Sequence, residues 1–239
     1  MLAFADAHCH LNLFENPRQT ISDAIKQGVQ IMVCAGDSAK DSSECIDLCD
    51  GSHVFSVIGI GPDFAVSDSW FIDKLEELIR QNKGKVVGIG EIGLDTKLAD
   101  IDMHLQEEVF IKQVQVAQSL NVPVVIHSRG SLSRVVKLLH STGVKKAMFH
   151  YFEGTDEEAM ALASEGYLIS IPSAINSRMK KVIKALDINN IVSETDSPIV
   201  GKSPFEVVKV VDEISKIKNI DKEVVARAIT QNIRNLFSI

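Results

Sequence analysis

Six side chains in this sequence have the types and spacing to hold divalent cations. Asp6-Ala7-His8-Cys9-His10 closes a short aliphatic run and sets two imidazoles two residues apart. Residues two apart in an extended segment project to the same side, so His8 and His10 can converge on one ion. Glu91 lies in Gly88-Ile89-Gly90-Glu91-Ile92-Gly93-Leu94-Asp95, and His127 follows Val124-Val125-Ile126. His150 follows Ala147-Met148-Phe149, and Asp196 lies in Val192-Ser193-Glu194-Thr195-Asp196-Ser197-Pro198. A single histidine or aspartate at such a place is commonly a cap or a satisfied polar group. Recurrence at the ends of five separate runs points instead to a shared site. Four of the seven histidines belong to the set. The other three, His53, His104 and His140, are read as ordinary surface or packing residues.

Imidazole mixed with carboxylate suits Zn2+, Mn2+ or Fe, and Mg2+ less well. Six donors are too many for one tetrahedral ion and fit two ions about 3.5–4 Å apart. A carboxylate among imidazoles is the natural bridge. The expectation is that Glu91 bridges, that His8, His10 and Asp196 complete one site, and that His127 and His150 hold the other. Two ions so placed activate water, and Asp196, ionised beside them, is the candidate proton acceptor. Asp196 and Glu91 are therefore the candidate catalytic residues. Arg129, just beyond His127, can grip a phosphate oxygen bidentately; a structural ion pair is the equal alternative. Lys97 and Lys202 are weaker candidates on flanking loops. Asp95 can orient a ligand histidine or cap a helix. Asp6 can orient a histidine of the first site or be buried near a barrel floor.

The elements that must position these residues are eight short aliphatic runs. They are Leu2–Ala7, Gln30–Ala35, Val54–Gly61, Lys85–Ile92, Val122–His127, Lys146–His150, Tyr167–Ile171 and Asn190–Thr195. They lack strict alternation, as strands buried on both faces do. Amphipathic segments separate them. Phe71, Leu75 and Leu78 share a helical face, as do Met103, Phe110, Val114 and Ala117, and Val207, Val211, Ile214 and Ile217. Thr155-Asp156-Glu157-Glu158 has the spacing of a capping box, and Gly28 stands where a helix should stop. Such alternation predicts parallel β/α units: one (β/α)8 barrel spanning residues 1–239, with an open doubly wound sheet as the other arrangement. In a barrel, all the strand ends that carry the six donors meet at one face. Two closing helices, about 204–218 and 221–237, exceed what closure needs and are expected to cover a barrel end or an edge.

Composition bounds the partners. The chain has 239 residues, 45% of them hydrophobic but only 5% aromatic, which suits a core of branched aliphatics. A net charge of -7 argues against a broad basic face for nucleic acid. Bound metal can still supply local positive charge. The four cysteines, Cys9, Cys34, Cys45 and Cys49, form no C-x-x-C pair and are read as reduced, buried thiols of a cytoplasmic protein. Zinc binding by Cys45 and Cys49 is the minor alternative. No targeting segment is visible, and no apolar run approaches the roughly 18 residues of a membrane span.

The motifs Asp6-Ala7-His8-Cys9-His10-Leu11, Gly90-Glu91-Ile92-Gly93-Leu94-Asp95, Ile126-His127-Ser128-Arg129, His150-Tyr151-Phe152-Glu153-Gly154 and Glu194-Thr195-Asp196-Ser197-Pro198 together resemble the TatD family of metal-dependent hydrolases, within the amidohydrolase-like barrel superfamily. Order and spacing match over essentially the whole chain, including the 106–117 helix and the terminal Asn232…Leu236-Phe237. The resemblance implies a TIM-like barrel and metal-dependent phosphodiester hydrolysis, commonly as a deoxyribonuclease. It also implies that the six residues are the metal ligands and that DNA is the substrate. The residues alone reach a hydrolase with a metal pair. They leave open attack on a carbonyl centre, such as an amide, a lactone or an aminoacyl ester on tRNA, and also a non-catalytic metal-binding barrel.

Two departures from the family pattern concern substrate. Gly59-Ile60-Gly61-Pro62-Asp63 stands where the family often has Gly-x-His-Pro, which leaves Asp63 to replace a lost contact. After Pro198 a longer loop is cut to Ile199-Val200-Gly201-Lys202-Ser203-Pro204, with Ile199 in place of a common tyrosine.

Overall fold

A computed structural model describes residues 2–98 and 100–239. Its eight strands are β1 (Phe4–Cys9), β2 (Val29–Gly36), β3 (Val54–Ile58), β4 (Val86–Gly93), β5 (Val124–His127), β6 (Ala147–Phe149), β7 (Leu168–Ile171) and β8 (Ile191–Ser193). Each pairs in parallel with the next, in the order β1 through β8. The helices between and after them are α1 (Pro17–Lys26), α2 (Ala39–Leu48), α3 (Ile72–Gln81), α4 (Met103–Leu120), α5 (Leu132–Thr142), α6 (Asp156–Ser164), α7 (Ser177–Ala185), α8 (Val207–Lys218) and α9 (Lys222–Phe237). This is the expected (β/α)8 barrel.

The expected helical stripes face the core. Leu75 of α3, Phe110, Val114 and Ala117 of α4, and Val207, Val211 and Ile214 of α8 are buried in it, whereas Leu78, Met103 and Ile217 pack against it only partly buried. Thr155 forms the full capping box with Glu158. Gly28 closes α1 at φ +97°, a left-handed backbone that favours glycine.

Closure between β8 and β1 relies on side chains as well as backbone. Asp6 is fully buried and accepts from the Thr195 N–H (2.9 Å) and the Thr195 hydroxyl (2.5 Å). Ser193 donates to the Ala5 carbonyl (2.8 Å). Farther up, Asp196 N–H donates to His8 O (3.0 Å) and His10 N–H to Ser197 O (2.8 Å). Asp6 is thus a seam residue; it also accepts from the His8 backbone N–H at 3.3 Å, and it forms no hydrogen bond with a histidine ring among the described residues. The last helix, α9, packs on β1 and β8 across this seam. Asn232 of α9 donates to the carbonyls of Ile188 and Ile191, both at 2.8 Å. The surplus helix therefore covers an edge. Among the described residues, no helix is long and apolar enough to cross a membrane.

Two strands break register where they carry donors. Between Asp6 and Cys9, β1 advances three residues while β2 advances two, Met32 to Cys34. Between Ile89 and Ile92, β4 advances three while β5 advances two, Val124 to Ile126. The extra residues lie around His8 and Glu91. Bulges of this kind re-aim side chains at barrel rims.

Candidate metal centre

The six predicted donors come together at the C-terminal ends of the strands. His8 Nε2 and His10 Nε2 lie 3.3 Å apart. Glu91 Oε2 is 3.3 Å from His8 Nε2 and 3.8 Å from His10 Nε2. Asp196 Oδ1 is 3.7 Å and 3.3 Å from the same two nitrogens. Four ligands about 2.1 Å from one ion at tetrahedral angles lie about 3.4 Å from each other. These atoms have that spacing. Asp196 Oδ1 is buried and makes no hydrogen bond, the condition of an oxygen waiting for a cation.

The second group uses the other Glu91 oxygen. Oε1 is 2.7 Å from His127 Nδ1 and 3.7 Å from His150 Nε2. Glu91, His127 and His150 could hold an ion, as could His8, His10 and Glu91.

The far side of three rings is already tied. His10 Nδ1 meets the Ala35 carbonyl at 3.0 Å; a carbonyl only accepts, so this nitrogen carries the proton and leaves Nε2 free. His127 Nε2 meets Asp95 Oδ2 at 3.0 Å. His150 Nδ1 meets Glu194 at 3.2 Å. Outer partners of this sort fix tautomer and ring orientation in metal sites. His8 Nδ1 alone is buried without a partner.

The centre is electrostatically hungry for cations. Burial opposes charge on His10, yet the facing Asp196 and Glu91 outweigh it and push His10 up to about 10. His127 is likewise raised to about 10 by Asp95 and Glu91 against burial. His150 reaches about 9 against burial, through Glu194 and Glu91. Burial and the stacked His150 ring, 3.7 Å away, hold His8 down. Glu91 sits well below the usual carboxylate range despite its burial, because His150, His127 and His8 surround it. Without metal, protons occupy the places that suit cations.

A family model, TatD related DNase, matches residues 5–238. The chain belongs to the TatD family. It is 31% identical to an uncharacterized metal-dependent hydrolase of Methanocaldococcus jannaschii, covering 98% of this chain and 96% of the relative. It is 28% identical to the human protein named Deoxyribonuclease TATDN3, covering 99% and 95%. The solved structure of the TatD homologue YjjV from Escherichia coli superposes with a TM-score of 0.92 at 22% identity, covering 99% of this chain and 98% of that one. As a TatD protein, the chain is a metal-dependent hydrolase by family.

Around the donors, a cavity of about 400 Å³ is lined by Asp37, Pro62, Asp63, Arg129, Glu153 and Ile199, among others. Arg129 realises the ion-pair reading. Its Nε and Nη2 both lie 2.8 Å from Asp95 Oδ2, while its side chain remains 48% exposed at the cavity wall. Asp95 thus orients His127 and anchors Arg129 at once, and is held down to about 2 by them against its burial. Lys97 and Lys202 do not line the cavity; their backbone N–H groups are bound to Asp95 and Glu206. His104 and His140 pair with Glu108 and Glu165 on helix surfaces, and His53 bonds Ser52. All four cysteines are free and buried, and they belong to none of the donor groups found among the described residues.

The TatD departures are also visible. A Cβ on Gly61 would stand 3.2 Å from the Asp37 Cβ, so Asp37 occupies the room that a larger residue 61 would need. Burial and nearby Glu91 push Asp37 up to about 7, and burial raises Asp63. The shortened loop turns back tightly, with Val200 N–H on Asp196 O (2.8 Å), and leaves Ile199 60% exposed at the cavity wall.

Sequence reasoning missed three supports. Glu194 is fully buried, binds His150 and accepts from Tyr151 N–H at 2.8 Å. Tyr151 adopts φ +42° there, a conformation unusual for a bulky residue. The position of Glu194, two before Asp196 at the same strand end, was the available signal. Gln106 and Gln113 of α4 clamp the backbones of Asp95 and Ile60 through both amide atoms. Buried glutamines on an apolar helix face were legible as an anomaly, though their partners were not.

Proposed function

We propose that this TatD protein is a two-metal phosphodiesterase that acts on DNA. The observation that carries the two-ion reading is Glu91: Oε2 faces His8 and His10, which Asp196 Oδ1 also approaches, whereas Oε1 faces His127 and His150. One buried carboxylate with its two oxygens in two donor sets suits a bridge. DNA is supported by the family description and by the name of the human relative. Divalent cations held by these six residues would supply Lewis-acid polarisation of the ester and activation of water. The chain's own groups do the rest. Glu194 and Asp95 keep the His150 and His127 rings turned inward. Asp196 is held below its ordinary range, against its burial, by His10, His150 and His8, so it is ionised and able to accept a proton from water and pass it to the leaving oxygen. The outer edge of the Arg129 guanidinium is available to a phosphate oxygen.

A second reading has one observation of its own. Beyond the donors, the cavity carries the carboxylates of Asp37, Asp63 and Glu153 against the single arginine. That balance favours a substrate with an ammonium beside the scissile bond, as in an aminoacyl ester.

The test is metal analysis of the purified protein followed by assay of three substrates, in the presence of Zn2+, Mn2+ or Mg2+. They are labelled single-stranded DNA, an aminoacyl-tRNA and a lactone. Two ions per chain and cleavage of DNA are expected. Asp196→Asn is expected to lose about 100-fold or more in kcat. An ester cleaved while DNA is untouched would favour the second reading. No bound ion and no activation by any added cation would sink both.

A further inference from the structure

The cavity over the donors does not end at the metal centre. A second hollow of about 350 Å³ shares Ser128 and Glu153 with it, and adds Gly130, Ser133, Glu158 and Arg178. A third, about 530 Å³, shares Gly130 and Ser133 with the second, and adds Glu107, Arg134 and Lys137. The shared walls make one groove. It runs from the donors across the N-terminus of α5 and along that helix.

The charges of the groove change along its length. Past Glu153, the acidic side chains are already engaged: Glu158 Oε2 accepts from Thr155 N–H at 2.7 Å, and Glu107 pairs with Arg134. Arg178 touches only the Glu153 carbonyl, at 2.7 Å, and has no carboxylate partner among the described residues. Lys137 has no ion-pair partner among them either. The first turn of α5 carries no acidic residue, and its N-cap Ser131 spends its hydroxyl on the Leu94 carbonyl at 2.6 Å. Arg178 and Lys137 are thus the cations of the outer groove free of ion pairs among the described residues, the carboxylate of Glu158 being held at the N-terminus of α6, and the α5 terminus adds positive potential beside them. The opposite wall of the centre is unlike this. It presents Pro62, Ile199 and Val200 together with Asp37 and Asp63, and no lysine or arginine.

We infer that this groove is the track for the phosphodiester strand of the substrate, with Arg178 and Lys137 as its free cations and Arg134, whose Nε pairs with Glu107, as a third phosphate contact. It rests on the nucleic-acid reading of the metal centre. Of these two walls, the one over α5 is the one that offers cations to an anionic strand leaving the centre. Its terminal nucleoside then lies against the apolar lip of Ile199 and Val200.

The experiment is fluorescence anisotropy with the metal-loaded protein and a labelled single-stranded phosphorothioate of about twelve nucleotides, long enough to fill such a track. The triple variant Arg134→Gln/Lys137→Gln/Arg178→Gln removes the three cations. A control, Lys26→Gln/Arg80→Gln/Arg227→Gln, removes three exposed cations on α1, α3 and α9. Kd for the groove variant is expected to rise about tenfold or more, and the slope of log Kd against log salt to fall by about 2, as when three phosphate contacts are lost. The control should alter neither. A groove variant that folds normally, yet binds with the Kd and salt slope of the parent, overturns the track. Hydrolysis of bis(4-nitrophenyl) phosphate by the parent protein is measured alongside. Its absence overturns the phosphodiesterase reading beneath, whereas the binding result judges the groove on its own.

Discussion

At the scale of single residues, the carboxylates behind the histidines matter as much as the donors. Glu194 has no contact with solvent and holds His150 Nδ1 at 3.2 Å. Replacing it with glutamine keeps the volume but removes the charge that favours a proton on Nδ1 and electron density at Nε2. Metal affinity of Glu194→Gln, measured by competition with a chromogenic chelator, is expected to fall about tenfold or more, within the usual range for such outer partners. Unchanged affinity would show that backbone geometry alone sets the ring.

At the scale of elements, the centre depends on how closely β4 approaches β5. A Cβ on Gly93 would fall 1.8 Å from the His127 carbonyl oxygen, and the residue sits at φ +156°. Gly93→Ala must therefore push apart the strand ends that carry Glu91 and His127. It is expected to cost about 3 kcal/mol, as overpacking of a rigid backbone contact does, and to weaken metal binding as well. Gly143→Ala is the comparison. That residue is also left-handed, at φ +72°, but a Cβ there meets nothing within 4 Å, so only the backbone cost of about 1–2 kcal/mol applies. Equal melting shifts and equal metal affinity for the two variants would contradict this account. The β-bulges of β1 and β4 act at the same scale: each inserts a residue beside a donor, so strand pairing and donor aim are set together.

For the whole molecule, the clustered histidines and carboxylates make stability depend on pH. His10 and His127 are raised to about 10 and His150 to about 9, from an ordinary 6.5. A group raised on folding contributes stability that is complete below its unfolded value and vanishes as pH rises through the folded one. Asp6, pushed well up by burial at the seam, works in the same direction. The melting temperature of chelator-treated protein should therefore fall between about pH 6.5 and 10. Glu91, Asp95 and Asp196 are held low, so their share is present above the ordinary carboxylate range and is lost as pH falls through their lowered values. A divalent cation bound by the proposed ligands would replace these protons. Adding Zn2+ or Mn2+ at pH 8 should raise the melting temperature and flatten the alkaline decline. A metal-free protein whose melting temperature is level or rising from pH 6.5 to 10 would refute this.

Much of this architecture was legible along the chain. Parallel strands buried on both faces need continuous aliphatic runs, and those runs marked all eight strands to within a few residues. Donors at the ends of five of them could be listed because a barrel brings strand ends to one rim. Chain order could not show which outer groups hold the rings, since Glu194 and His150 are 44 residues apart and meet only through β6 and β8. Nor could it show that Asp6 serves the seam, that Arg129 is tied to Asp95, or that Asp37 fills the space beside Gly61. Those pairings depend on register and bulges, where one residue more or less turns a side chain to the other face. Sequence by itself determined the candidate donor residues and how often the strands recur. Only the folded barrel decided how the two Glu91 oxygens are split between two donor sets.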